Sequence, residues 1–464
     1  MRPASPTPRP LGDLVGVVPG LVVEGSIDGV VVTGCTHDSR AVQPGDLYAA
    51  LPGAHAHGAD FAAQAKTAGA VAVLTDAAGA ARVDDLPVLV ADPVRSVLGA
   101  VASWVHGDPS AELTVLGVTG TNGKTTTAFL LDAGLREAGH LTGLLGTVLT
   151  RIGDETVVSE RTTPEATDLH ALFAVMRERG VTAVAMEVSS HALAYGRVDG
   201  VQFDTAVFTN LSQDHLDFHA DMEDYFLAKA SLFTPQRSRR GVVNADDDAG
   251  RRLLAAPLIP LAGYGEQSDF RAESAQLGPD GSTFTFVAPG QSAAASVQVP
   301  GGFNVDNALG ALACLVTAGV PLEDAVRGIA ALPGIPGRME RVDVGQPFTA
   351  LVDYAHTPDA VGSLLRTVRG VTPGRVIVVL GCGGDRDRGK RPLMGRAAVE
   401  GSDVAILTSD NPRSEDPLAI LADMQADMQQ PGALVEPDRR AAIALAVAQA
   451  RRGDTVVVAG KGHE

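Results

Sequence analysis

Cysteine is scarce in this chain of 464 residues. Its three copies, Cys35, Cys314 and Cys382, lie far apart. Their odd count excludes a complete disulfide framework, and their spacing matches no metal site. A reducing cytoplasm is the compartment this usage implies. No run approaches the roughly 18 to 20 continuous apolar residues that a membrane helix requires, so no membrane association is expected. The Pro-rich start, residues 1–10, does not read as a signal peptide and is expected to be a loose tail. Basic residues are also in deficit, 37 Lys and Arg against 55 Asp and Glu, for a formal net charge of −18. That balance excludes an unspecific nucleic-acid binder, and it means that an anionic ligand must meet a local cluster of positive charge. Internal repeats and low-complexity tracts are absent, apart from alanine-rich helices.

Glycine, by contrast, is abundant at 52 residues, which suggests many tight strand-to-helix turns and hence α/β layering. The length is too great for one core, so about three domains are expected. Their divisions fall at the linkers near Gly107-Asp-Pro-Ser110 and Pro333-Gly-Ile-Pro-Gly337, giving segments 1–107, 108–335 and 336–464.

One stretch organises the rest. Leu113 to Val118 reads as a buried strand, and Ala128, Leu131 and Leu135 recur at helical spacing beyond it. Between them stands Gly120-Thr-Asn-Gly-Lys-Thr-Thr126. Strand, glycine turn and helix form a phosphate-binding loop: the glycines let backbone N–H groups point inward and the helix N-terminus adds its dipole. Lys124 adds a charge, and the Thr125 hydroxyl suits Mg²⁺. The spacing departs from the usual form, because Val118 stands where the first glycine would be.

Further strands carry polar groups to their carboxyl ends, the ends that face a ligand crevice in parallel sheets. Val181 to Met186 delivers Glu187, a candidate metal ligand, followed by Ser189 and Arg197. Ala206 to Asn210 delivers Asp214, His215, Asp217 and His219, which would bind a metal or cap the next helix. Lys229 sits among apolar residues of a helix from Tyr225 to Phe233. It would either snorkel to water or, if desolvated, react as a neutral amine with CO₂ to give a carbamate. Asn304 and Asn307 open a helix to about Ala318 and would read a base edge or cap that helix. In the last segment, strands near 349–352, 375–380, 404–407 and 455–458 deliver Asp353-Tyr-Ala-His356, the turn 381–391, Ser409-Asp-Asn-Pro-Arg413 and Gly460-Lys-Gly-His-Glu464.

Taken together, these motifs resemble the Mur ligases, ATP-dependent amide-forming enzymes of peptidoglycan precursor synthesis. The resemblance rests on the phosphate loop, Glu187-Val-Ser-Ser-His191, Thr209-Asn-Leu211 with Asp214-His215, Ala228-Lys229, Asn307, Asp353-Tyr-Ala-His356 and Gly460-Lys-Gly462. It covers nearly the whole chain. It implies an N-terminal uridine-binding α/β domain, a central ATPase-like parallel-sheet domain with the phosphate loop, and a C-terminal Rossmann-like α/β domain. ATP and Mg²⁺ would be the cofactors. Gly120, Thr121, Asn122, Gly123, Lys124, Thr125, Thr126, Asn307, Arg341 and Asp353 would hold the nucleotide. Thr125, Glu187, His215 and a carbamylated Lys229 would serve the metal ions, with Lys124, Glu187, His215 and Lys229 as the catalytic group.

Thr36-His-Asp-Ser-Arg40, Thr162-Thr-Pro164, Gly383-Gly-Asp-Arg-Asp387 and Asp410-Asn-Pro-Arg413 narrow the resemblance to the branch that adds meso-diaminopimelate to UDP-N-acetylmuramoyl-L-alanyl-D-glutamate. In that branch Ser39 lies by the uridine, and Thr162, Thr163, Ser189 and Arg197 line the muramoyl-peptide path. His356, Arg386, Asp410, Asn411, Arg413, Gly460 and Glu464 would meet the amino acid. Arg413 offers a planar fork for the far carboxylate that lysine lacks. Tyr195 departs from the glutamine of some relatives, and the resemblance implies a short segment beyond Glu464. A monomer is expected. The alternatives are the same reaction with L-lysine, or a nucleotide-binding module without catalysis.

Overall fold

Apolar runs bounded by glycine and proline turns become three large sheets and two small antiparallel ones in the computed structural model, which describes residues 1–157, 159, 161–426 and 432–462. The N-terminal sheet has five strands in the order Val22–Glu24, Val88–Val90, Ala72–Thr75, Asp46–Ala49 and Gly34–Thr36. Only the first runs antiparallel to its neighbour. The start of the chain departs from the loose tail expected of it. Arg2 pairs with Asp46, the amides of Ala4 and Ser5 each donate to the Glu178 carboxylate at 2.8 Å, and the Arg9 guanidinium lies 4.3 Å from the Trp104 ring centroid. Prolines supply little helix or strand propensity, but the polar groups between them find fixed partners.

The central sheet carries the phosphate loop. Its six inner strands run parallel in the order Thr142–Leu145, Ala183–Glu187, Thr114–Thr119, Thr205–Phe208, Gly241–Asn244 and Leu261–Tyr264, with an antiparallel hairpin, Thr150–Ile152 and Glu155–Val157, on one edge. The loop strand Thr114–Thr119 is therefore central, and register places Glu187 beside Val118 and Phe208 beside Thr119. That alignment brings three polar strand ends to one rim.

A three-stranded antiparallel sheet, Arg271–Gly278, Gly281–Ala288 and Gln291–Val297, adds to the expected parallel layers. Its signal was legible, since Ser282, Phe284, Phe286 and Ala288 alternate inward with period two. Phe284 and Phe286 join a core with Leu309 and Leu312 of helix Gly302–Ala318 and Leu131 of helix Lys124–Glu137. The phosphate-loop helix is thereby buried along most of its length.

In the C-terminal sheet the order is Glu340–Val342, Thr349–Asp353, Thr455–Ala459, Val376–Cys382, Val404–Ser409 and Ala433–Val435. All but the first run parallel. Val376–Cys382 is buried throughout, as a continuous apolar run in a doubly covered parallel sheet must be.

Candidate active site

The loop conformation follows from its two glycines. Gly120 and Gly123 have φ of +146° and +85°, and a Cβ on either would collide, with Thr209 Oγ1 and with Asn307 Oδ1 respectively. Thr209 and Asn210 brace the loop: Asn210 O accepts from Thr121 N, Asn210 Oδ1 accepts from Asn122 N, and Thr209 Oγ1 donates to Asn122 O. Lys124 folds back so that Nζ donates to Gly120 O at 3.0 Å and Thr121 O at 2.9 Å, two acceptors an anion can replace. Gly123 caps helix Lys124–Glu137, whose buried first-turn threonines, Thr125 and Thr126, open onto the cleft.

Around the loop the cleft gathers Thr121, Asn122, Thr162, Glu187, Ser189, His215, Lys229, Asn307, Asp353 and His356, ten of the residues named from the sequence. Glu187 is buried and accepts from Thr147 N at 2.7 Å and Thr147 Oγ1 at 3.0 Å. Its backbone O accepts from Thr163, which also receives Ser189 N. Lys229 does not snorkel: it is 1% exposed, and Nζ donates to Gly120 O at 2.8 Å above the Tyr225 ring. Burial, and then the Lys124 charge, hold this amine well below the usual lysine range.

Asp214 takes Lys390 Nζ at 2.9 Å and lies 3.4 Å from His215 Nε2 and 3.5 Å from His356 Nε2. Burial pushes its carboxyl up, but His356, Lys390 and His215 together hold it well below the carboxylate range. His215 is pushed down to about 3, chiefly by burial, and is therefore a neutral imidazole. The other two members of its cluster do not converge: His219 is buried against Asp224, and Asp217 is exposed.

The donors suit a hard cation only in part. Among the described residues no group of three or more His, Cys, Asp or Glu could hold a metal ion. Thr125 and Glu187 would leave most positions to water and phosphate oxygens, which is how Mg²⁺ is usually bound. The buried amine of Lys229 fits carbamate formation beside His215.

Arg341 is misplaced in the expected nucleotide set. It lies on the exposed edge strand Glu340–Val342 and pairs with Asp280 and Asp343, outside the cleft. Arg338 occupies the cleft instead and donates to Thr125 Oγ1 at 2.9 Å. Nothing in the spacing separates the two arginines. The difference arises because Met339 has φ of +48° and its amide is held by Asp353 Oδ2 at 2.7 Å. Asn307 faces the loop, its Oδ1 lying where a Cβ on Gly123 would be, while its Nδ2 donates to Asn304 Oδ1 at 3.0 Å.

Other expected residues gather elsewhere. Ser39 lies in a turn of the N-terminal domain, after strand Gly34–Thr36. Arg197 pairs with buried Glu165 at 2.9 Å, which also meets Arg95 and Arg161, while Tyr195 lies between Arg95 and Arg197. Arg386, Asp410, Asn411, Arg413 and Gly460 meet at the carboxyl ends of the C-terminal strands. There Arg413 donates to Gly384 O, Arg386 to Asp385 O, and Lys461 to Asn411 at 2.8 Å. Glu464 lies outside the described residues.

A parallel sheet that brings a phosphate loop, two lysines and a carboxylate to one cleft, flanked by two further α/β domains, defines a three-domain nucleotide-dependent enzyme. The Mur ligase models match in series: the family's catalytic domain over 31–102, its middle domain over 118–315 and its glutamate ligase domain over 337–462. The chain belongs to the Mur ligase family. It is 57% identical to the UDP-N-acetylmuramoyl-L-alanyl-D-glutamate–2,6-diaminopimelate ligase of Streptomyces avermitilis, over 100% of this chain and 93% of that one. It is 47% identical to the enzyme of the same name from Corynebacterium glutamicum, over 97% and 92%. A solved structure of a ligase with that name is 34% identical with a TM-score of 0.66, covering 93% of this chain and 90% of its own. The MurF crystal structure from Acinetobacter baumannii, at 21% identity and a TM-score of 0.72 over 98% and 96%, shares the fold.

Proposed function

We propose that this ligase joins meso-diaminopimelate to UDP-N-acetylmuramoyl-L-alanyl-D-glutamate in the cytoplasm, as a monomer with domains dividing near residues 107 and 335. Identity to ligases of that name along the whole chain supports the reading. The observation that carries it is the meeting of two edges. The phosphate-loop rim of the central sheet faces the carboxyl edge of the C-terminal sheet, joined by Lys390 to Asp214, Arg338 to Thr125 and Gln213 to Asp387.

ATP, when bound with Mg²⁺, supplies the phosphoryl group that activates the D-glutamate side carboxylate as an acyl phosphate. This chain positions the partners and neutralises charge. Gly120 to Thr126 would cradle the phosphates, with Lys124 leaving its two carbonyls to follow the transferring charge. Thr125 and Glu187 would hold one Mg²⁺, and His215 with a Lys229 carbamate a second. Thr162, Thr163, Ser189 and Arg197 would align the peptide, and Ser39 the uridine end. His356, Arg386, Asp410, Asn411, Arg413, Gly460 and Glu464 would present the amino acid, Arg413 taking its far carboxylate.

The test is stoichiometric. ATP consumption should require both the nucleotide-peptide and meso-diaminopimelate, and should yield one amide per phosphate. Turnover of ATP without either partner would point to a nucleotide-binding module, and equal use of L-lysine would remove the diaminopimelate assignment.

A further inference from the structure

Lys390 is an unusual place for a lysine. It opens helix Lys390–Gly401, the end where the helix dipole disfavours a cation, and it is nearly buried. Both penalties are offset by one contact across the domain boundary, 2.9 Å to Asp214 Oδ1, and Asp214 is itself buried. The other carboxylate oxygen of Asp214 faces His215 of its own domain and His356 of the C-terminal domain.

The helix end that Lys390 occupies is locked to the loop carrying Arg413. The neighbouring Arg391 is 1% exposed and donates to both oxygens of Glu415 and to Asp423, while Glu415 also takes Arg388 and the amide of Asp385. Two separate acceptor loops, one through His356 and one through Lys390, thus end on a single carboxylate that adjoins His215.

We propose that Asp214 and Lys390 form an interdomain pin that sets the amino-acid loops in register with the phosphate loop, both acting as positioning residues for the ligation. The proposal rests on the reaction assigned above. A carboxylate shared in this way fixes distance as well as charge, because Oδ1 and Oδ2 engage different elements. Neither residue needs to touch the amino acid. Their effect should appear in how that substrate is held once the domains have closed.

The experiment compares Lys390→Met, Lys390→Arg, Asp214→Asn and the Lys390→Met/Asp214→Asn double variant. Removing one partner of a buried pair leaves the other uncompensated, so Lys390→Met should lower kcat/KM for meso-diaminopimelate by about 30-fold or more, mainly through KM. Affinity for a non-hydrolysable ATP analogue should stay within about twofold. Lys390→Arg should recover much of the loss. The double variant should be no worse than Asp214→Asn alone, because coupled residues lose their shared function once.

Small-angle scattering with nucleotide-peptide and ATP analogue should show Lys390→Met more open than wild type. Unchanged acceptor kinetics, losses that multiply in the double variant, or an equal loss of nucleotide affinity would overturn the pin. If Lys390→Met fails to fold, Lys390→Arg and Asp214→Asn carry the same comparison. If wild type does not join meso-diaminopimelate at all, the assigned reaction falls, while scattering still decides the pin.

Discussion

The phosphate-loop cleft and the C-terminal acceptor edge both gather cations, but they hold them differently. In the cleft, Lys124 and Lys229 donate to backbone carbonyls of the loop and have no carboxylate within salt-bridge reach among the described residues. At the acceptor edge, Arg388 and Arg391 are committed to Glu415, with Asp423 as a further partner of Arg391, and Lys390 to Asp214. Arg386 and Arg413 there rest on carbonyls instead. The difference separates cations held ready for a ligand from cations that build the frame. A carbonyl partner is weak enough to be exchanged for phosphate or carboxylate; a buried carboxylate partner is not.

Changing a cation of the first kind should therefore remove function and leave the fold intact. The largest effect is expected from Lys124→Ala: loss of one preorganised contact to the transferring charge costs about 3 to 4 kcal/mol, or roughly 10²- to 10³-fold in turnover. Near-normal turnover of this variant would break the comparison. Lys229→Ala should be folded and nearly inactive, with partial rescue by small carboxylates that replace a carbamate. Native mass measurement at high CO₂ should show the added mass on wild type alone.

Arg413→Ala sharpens the comparison at the other edge. Arg413 is exposed and keeps Gly384 O as a partner, so lysine forfeits only the charge-assisted contact, roughly 1 to 2 kcal/mol; wild type should prefer meso-diaminopimelate by about 10-fold and the variant should lose that preference. Competition between the two amino acids measures it.

The smallest effect is expected at a frame carboxylate. Burial would raise Glu165, but the charges of Arg197 and Arg95 hold it below its ordinary value of 4.5. A depressed carboxyl stabilises the fold at neutral pH, and that contribution is lost as pH falls below 4.5 and through the lower folded value. Glu165→Gln should cost about 1 kcal/mol at pH 7, since its partners Arg95 and Arg161 reach into solvent and their charges are screened. Its deficit in denaturant midpoint should shrink on acidification. A deficit independent of pH would show that the arginines do not act through its charge.

Much of this arrangement was legible in residue order. A glycine turn marked the phosphate loop, and the ends of apolar strands marked Glu187, the Asp214-His215 pair and the polar groups of the C-terminal domain, because in a parallel sheet the backbone dictates which end of each strand meets the crevice. What the sequence by itself determined was therefore the layering, the loop and the set of strand-end residues, all consequences of local periodicity. Three-dimensional packing decided the rest. It buried Lys229 instead of letting it snorkel, chose Arg338 over Arg341 through the turn at Met339, and fixed the proline-rich start against Glu178 and Trp104. It also paired Lys390 with Asp214, 176 residues apart. Burial and pairing depend on groups brought together from distant parts of the chain, and no local pattern encodes them.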